Sequence, residues 1–152
     1  MPDTLIKKFK KDLLHVGTYK HPTEGWTLKV TLDKLKQYLN TFNRMKENGV
    51  DVEVVVDHKF NAESIRGYIT EMLIEKNEKG IDTLYGIHEM RGEDGIKLAE
   101  TAKNVSVLIR KDFVDGRGNV YGEAIIHSAI VQSPVVPNQE EFVPIAASLL
   151  EG

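Results

Sequence analysis

Short runs of Leu, Val, Thr, Tyr and Trp between turn residues predict strands at DLLHVGTYK (12–20) and GWTLKVT (25–31). The period then changes. Leu32, Leu35, Leu39, Phe42 and Met45 recur at helical spacing, with Thr31 placed to cap the start and Gly49 to close the end. This is the clearest helix in the chain, and its apolar stripe reads as core packing. DVEVVVDHKF (51–60) is β-branched and apolar, a buried strand ending near Asp57. RGYITEMLIEKN (66–77) and IDTLYGIHEM (81–90) flank the turn NEKG and predict a hairpin. GEDGIKLAETAKN holds a shorter helix, with Ile96, Ala99 and Ala102 on one side. NVSVLIRKDF (104–113) and VYGEAIIHSAIVQS (120–133) are strands joined by DGRGN. A proline-punctuated tail with a short helix follows.

About seven strands against two helices, with too few βαβ spacings for a doubly wound sheet, point to a β-rich α+β fold. The expectation is a mostly antiparallel curved sheet or small closed barrel, with a few helices packed around it. The 152 residues fit a single domain, 1–152, in which 138–152 reads as a tail or a link to a following segment. No internal repeat or low-complexity tract interrupts it.

Composition changes this picture little. The chain is 41% hydrophobic and 28% charged, with net charge -3, values ordinary for a soluble globular protein and no argument for a nucleic-acid partner. It has no cysteine, hence no disulfide and no thiol chemistry. No run of about 18 apolar residues predicts a membrane span. Lys7, Lys8, Lys10 and Lys11 cluster in LIKKFKKDLL, which reads as a solvated face or end of the first element rather than a binding arm.

GEDG and DGRG are turns without the glycine spacing of a phosphate cradle, and no histidine pair at i and i+4 suggests a metal. Neither a cofactor nor a metal is expected. Three reactive side chains sit in ordered apolar segments: His58 at the end of VVVDH, Ser106 in NVSVLI, and His127 inside AIIHSAIV. A serine hydroxyl needs a base within hydrogen-bond reach, and the base needs a third group to orient it and stabilise its charged form. A neutral imidazole can fill that third role, more weakly than a carboxylate. His127 alone also fits a core histidine satisfied by a backbone carbonyl. Glu123, four residues before His127 on the same strand, is expected on the same face and rivals it. Asp57 reads as a strand-end cap that cannot orient His58 unless a turn intervenes. His88 reads as a half-exposed strand residue, and Ser128 and Ser133 as packing and turn residues.

From Thr18 to Pro137 the order VVVDHKFNAESIRGYI, NVSVLI, IIHSAIVQSPVVPN resembles the capsid maturation (prohead) proteases of tailed phages, whose fold is similar to that of the herpesvirus assemblins. The resemblance implies a herpesvirus-protease-like fold and a serine endopeptidase, with Ser106 as nucleophile, His58 as general base and His127 as third member. Many phage members carry an acid at that third position. The histidine here matches the herpesvirus branch. The oxyanion donors of that branch include an arginine in the loop after the last strand, which QSPVVPN lacks. Backbone N–H groups near Ser133 to Asn138, or Arg110, are the substitutes.

The resemblance further implies scaffold and major capsid protein as substrates, with the enzyme's own AASLLEG terminus as a further candidate. It implies a homodimer or higher oligomer, no nucleic-acid or membrane partner, and a place in the host cytoplasm inside the assembling procapsid. Two other classes stay open: an inactive virion domain of the same fold, and a metal-dependent hydrolase using Asp57, His58 and His127.

Overall fold

The computed structural model describes residues 5–21, 23–132 and 134–145. Its elements run β1 (Ile6–His15), β2 (Gly17–Lys20), β3 (Thr27–Val30), α1 (Leu32–Glu47), β4 (Val52–Val56), β5 (Ile65–Lys76), β6 (Asp82–Arg91), α2 (Gly92–Thr101), β7 (Val105–Val114), β8 (Val120–Ile130) and β9 (Val143–Pro144). One seven-stranded sheet has the order β7-β8-β4-β5-β6-β1-β9, and β2 with β3 forms a separate hairpin. Five of the six neighbouring pairs are antiparallel, and β4 runs parallel to β8. The fold is therefore α+β and strand-rich, with a mixed sheet. The closed barrel considered from sequence does not form.

Local chemistry sets the elements. Thr31 caps α1 by accepting the Lys34 N–H at 3.2 Å. The turn between β5 and β6 is wired by Asn77, whose Oδ1 accepts the N–H groups of Lys79 and Ile81. Gly67, which pairs with both Val54 and Met90, is required by close approach: a Cβ there would stand 2.2 Å from the Glu89 carbonyl oxygen. Leu35, Tyr38, Phe42 and Met45 of α1 close over Val54, Ile69, Leu84, Ile125 and other sheet residues to make the core.

Three expectations are corrected. The basic opening segment lies within strand β1, and the solvated face read from the sequence fails for Lys11, while Lys7, Lys8 and Lys10 are part-exposed. Lys7 and Lys8 pair with Glu100 and Glu89, Lys10 bonds Glu75, and Lys11 is fully buried. The strand expected over 12–20 is divided between β1 and β2. The supposed tail from 138 packs into the body of the fold as far as 145, with Gln139 and Phe142 buried and β9 pairing with Phe9 and Lys10. No helix occurs in 134–145, and the AASLLEG terminus lies outside the described residues. No helix among the described residues is long and apolar enough to cross a membrane.

Candidate active site

The site is built where β4 ends beside β8. After Val56 the chain turns through Asp57 and His58, both with positive φ (54° and 57°), and the Lys59 N–H donates to the Val56 carbonyl at 3.3 Å. Two consecutive left-handed residues closing such a bond make a primed type I turn, a conformation that suits Gly, Asn and Asp and strains a larger residue such as His58. Non-glycine residues held there cost roughly 1–3 kcal/mol each and cluster at functional sites. So a turn does intervene between Asp57 and His58.

This turn carries the His58 imidazole back to β8. Its Nδ1 lies 2.7 Å from Nε2 of His127, with ring centroids 4.9 Å apart. His127 is only 2% exposed, so burying it without that partner would leave a polar nitrogen unsatisfied. Its partner is thus a second histidine and not a backbone carbonyl. Burial draws His58 below the usual histidine range, with the Asp57 carboxylate pulling the other way. His127 is pushed down to about 4, first by burial, then by His58 and the Arg110 guanidinium. These shifts favour the neutral form of both rings.

Ser106 shares this face of the sheet. It stands opposite Ala129, while His127 stands opposite Leu108 on β7 and Glu53 on β4. Residues in register point the same way, so Ser106, Leu108, Ala129 and His127 project together. Val55 and Ala129 are buried on this side but lie apart from the main core cluster. Ser106 is therefore diagonal to His127, a relation that sets Cβ atoms about 7 Å apart. The methyl of Ala129 is the only side chain standing directly between Ser106 and β4 in that row. Among the described residues, Ser106 makes no hydrogen bond to His58. The structure brings the two histidines together and places the serine beside them without closing that last contact.

The other sequence candidates fall elsewhere. Glu123 is engaged by α1: Lys34 donates to both its oxygens at 2.8 Å, and the Tyr38 hydroxyl bonds it as well. The expectation that it shares a face with His127 fails because β8 bulges. Leu108 pairs with His127 but Ile109 with Ile125, so Ile126 is an extra residue and the alternation is broken. Arg110 sits beside His127, with its guanidinium over the Phe60 ring at 6.0 Å. It is four residues from Ser106, about 13 Å along a strand, so it is poorly placed to reach a charge developing at that serine. Ser133 lies outside the described residues. No cluster of three or more metal-ligating side chains exists among the described residues, so Asp57, His58 and His127 do not assemble as a metal site.

Two residues were missed from sequence. Phe60 is 70% exposed, yet its ring lies 5.3 Å from that of His127. Its signal was a large aromatic in the polar stretch HKFNAES. His88 was misread. It is fully buried in the core, with Nδ1 bonded to the Gly86 carbonyl at 3.0 Å and Nε2 to Ser128 Oγ at 3.1 Å, and it is held down at about 4 chiefly by burial. It is the satisfied core histidine that the sequence offered as one reading of His127.

Comparison of the chain with protein-family models, curated proteins and solved structures finds no match to any of them.

Proposed function

We propose that this chain is a serine endopeptidase working through Ser106, His58 and His127. The observation that carries the reading is the 2.7 Å contact between His58 Nδ1 and His127 Nε2, at a strained turn and on the sheet face that also carries Ser106. With its Nδ1 engaged, His58 keeps Nε2 for a substrate-side proton. In the productive tautomer His58 Nδ1–H donates to His127, leaving the lone pair on His58 Nε2. That nitrogen takes the proton of Ser106 as Oγ attacks the scissile carbonyl. It then gives the proton to the leaving amine as the C–N bond breaks. Water, deprotonated by the same nitrogen, hydrolyses the acyl-enzyme. His127 accepts the bond from the imidazolium without supplying negative charge.

The resemblance to prohead proteases and assemblins gives the biological reading: a herpesvirus-protease-like fold, cleavage of scaffold and major capsid protein within the assembling procapsid in the host cytoplasm, and activity as a homodimer or larger oligomer. A mostly antiparallel seven-stranded sheet with the histidine pair at one face is compatible with that fold.

A second reading, a structural virion domain without activity, is favoured by the missing hydrogen bond between Ser106 and His58. Unliganded active sites often hold such bonds long and tighten them on substrate, so the missing bond leaves the first reading standing. Intact mass after incubation with a fluorophosphonate, at several protein concentrations, separates the two. One adduct that disappears in Ser106→Ala supports the protease. A folded wild-type protein that takes no adduct supports the structural domain.

A further inference from the structure

The edge strand β7 comes near β1 without pairing with it, and Gln139 lies between the two. Gln139 Oε1 accepts the Val105 N–H at 2.9 Å, and its Nε2 donates to the Val105 carbonyl at 2.7 Å. One side-chain amide thus makes both bonds that a neighbouring strand would make to that residue. The remaining capacity of the amide is also used: Oε1 accepts from Lys11 Nζ at 2.9 Å, and Nε2 donates to the Val136 carbonyl at 2.9 Å. Gln139 is 5% exposed and Lys11 is fully buried. Lys11 in turn bonds Asp12, whose carboxylate accepts the Glu140 N–H.

Val105 immediately precedes Ser106. Backbone groups alternate along a strand, so with those of Val105 turned to Gln139, those of Ser106 turn to Ala129 on β8. The serine is therefore fastened from both sides, by β8 directly and by Gln139 through its neighbour. A charge-assisted bond from a desolvated ammonium stiffens that outer side.

We propose that Gln139 is a positioning residue, which through Val105 sets where the Ser106 hydroxyl stands relative to His58. The proposal rests on the triad reading. Its logic is that a misplacement of about 1 Å at a reacting group costs on the order of 100-fold in rate, an effect that a loss of stability alone does not produce in the folded protein.

The test is the rate of fluorophosphonate labelling at saturating and sub-saturating reagent in wild type, Gln139→Met and Gln139→Glu, with amide hydrogen exchange on each. Met keeps the volume and removes all four bonds. Glu keeps the two acceptor bonds and loses the two donor bonds. The expected result is a maximal labelling rate lowered roughly 10- to 100-fold in Gln139→Met, with half-saturating reagent concentration and the pH midpoint unchanged. Gln139→Glu should fall between. Exchange should quicken at Val105 in Gln139→Met, and less in Gln139→Glu, which keeps the acceptor for the Val105 N–H, and stay slow in β5 and β6. A folded Gln139→Met or Gln139→Glu protein that labels at the wild-type rate overturns the positioning role and leaves the triad standing. A wild-type protein that never labels overturns the triad, and the positioning role with it. Should Gln139→Met not fold, Gln139→Glu alone decides by the same criteria.

Discussion

His127 and Ser128 are neighbours on β8 that face opposite ways: His127 meets His58 on one side of the sheet, and Ser128 meets His88 in the core on the other. The strand's two-residue period makes this division. It separates a histidine that can do chemistry from one that only fills a polar vacancy. His88 has both nitrogens engaged inside the protein. His58 has one nitrogen engaged and one to offer.

The roles of the three site residues differ in size. Ser106→Ala should abolish the covalent adduct. His58→Ala should slow labelling by about 100- to 10,000-fold, the range of a general base. His127→Ala should cost less, about tenfold, because a neutral ring orients the base but adds no counter-charge. Time-resolved intact mass measures all three, and equal losses for His58→Ala and His127→Ala would count against this order.

Labelling should rise with pH, with the midpoint of its acid limb below the ordinary histidine value of about 6.5. The base works only when neutral, and burial already favours the neutral form of His58. Asp57 opposes that effect, so Asp57→Asn should move the acid limb to still lower pH. A limb that stays in place would mean that the Asp57 carboxylate does not act on the reacting ring.

Folding stability should fall in mild acid through His88. Its folded value of about 4 lies below the ordinary value of about 6.5. The unfolded chain therefore binds the extra proton between those limits, and stability increases with pH across that window. The contribution is complete above about pH 6.5 and lost as pH drops toward 4, roughly 3 kcal/mol in all. Urea unfolding of His88→Gln should show a flatter slope over the same range.

Glu123→Gln should leave labelling unchanged and lower stability by roughly 1 kcal/mol, since Glu123 ties Lys34 and Tyr38 of α1 to β8. A loss of labelling in a folded Glu123→Gln protein would return Glu123 to the site.

Asp57→Gly should stabilise the fold by about 1 kcal/mol, or about 2–4 °C in Tm, by relieving the left-handed strain at the turn. Thermal unfolding decides this. A drop in Tm would show that the Asp57 side chain supports the turn more than its conformation costs.

Much of this arrangement was legible along the chain. Helical spacing from Leu32 to Met45, the β-branched run at Val52–Val56 and the Asn77–Gly80 turn all report local physics, so strands and helices emerged near their observed places. The candidate trio His58, Ser106 and His127 could be chosen because each polar side chain interrupts an apolar strand or ends one. Lys11 misled because the lysines at 7, 8, 10 and 11 look together like a solvated surface, whereas Lys11 is drawn inward to Asp12 and Gln139.

By itself the sequence determined which segments are strands and helices, because periodicity and turn chemistry act over a few residues. It also determined which side chains carry reactive groups. Only the tertiary structure decided which of them meet. The parallel pairing of β4 with β8, the left-handed turn at Asp57 and His58, and the bulge at Ile126 together bring His58 to His127 and turn Glu123 away. The pairing of β4 with β8 and the meeting of His58 with His127 join residues about 70 positions apart, 69 for the two histidines. Local propensity carries no information at that range, because long-range pairing is chosen by burial and hydrogen bonding of the whole sheet.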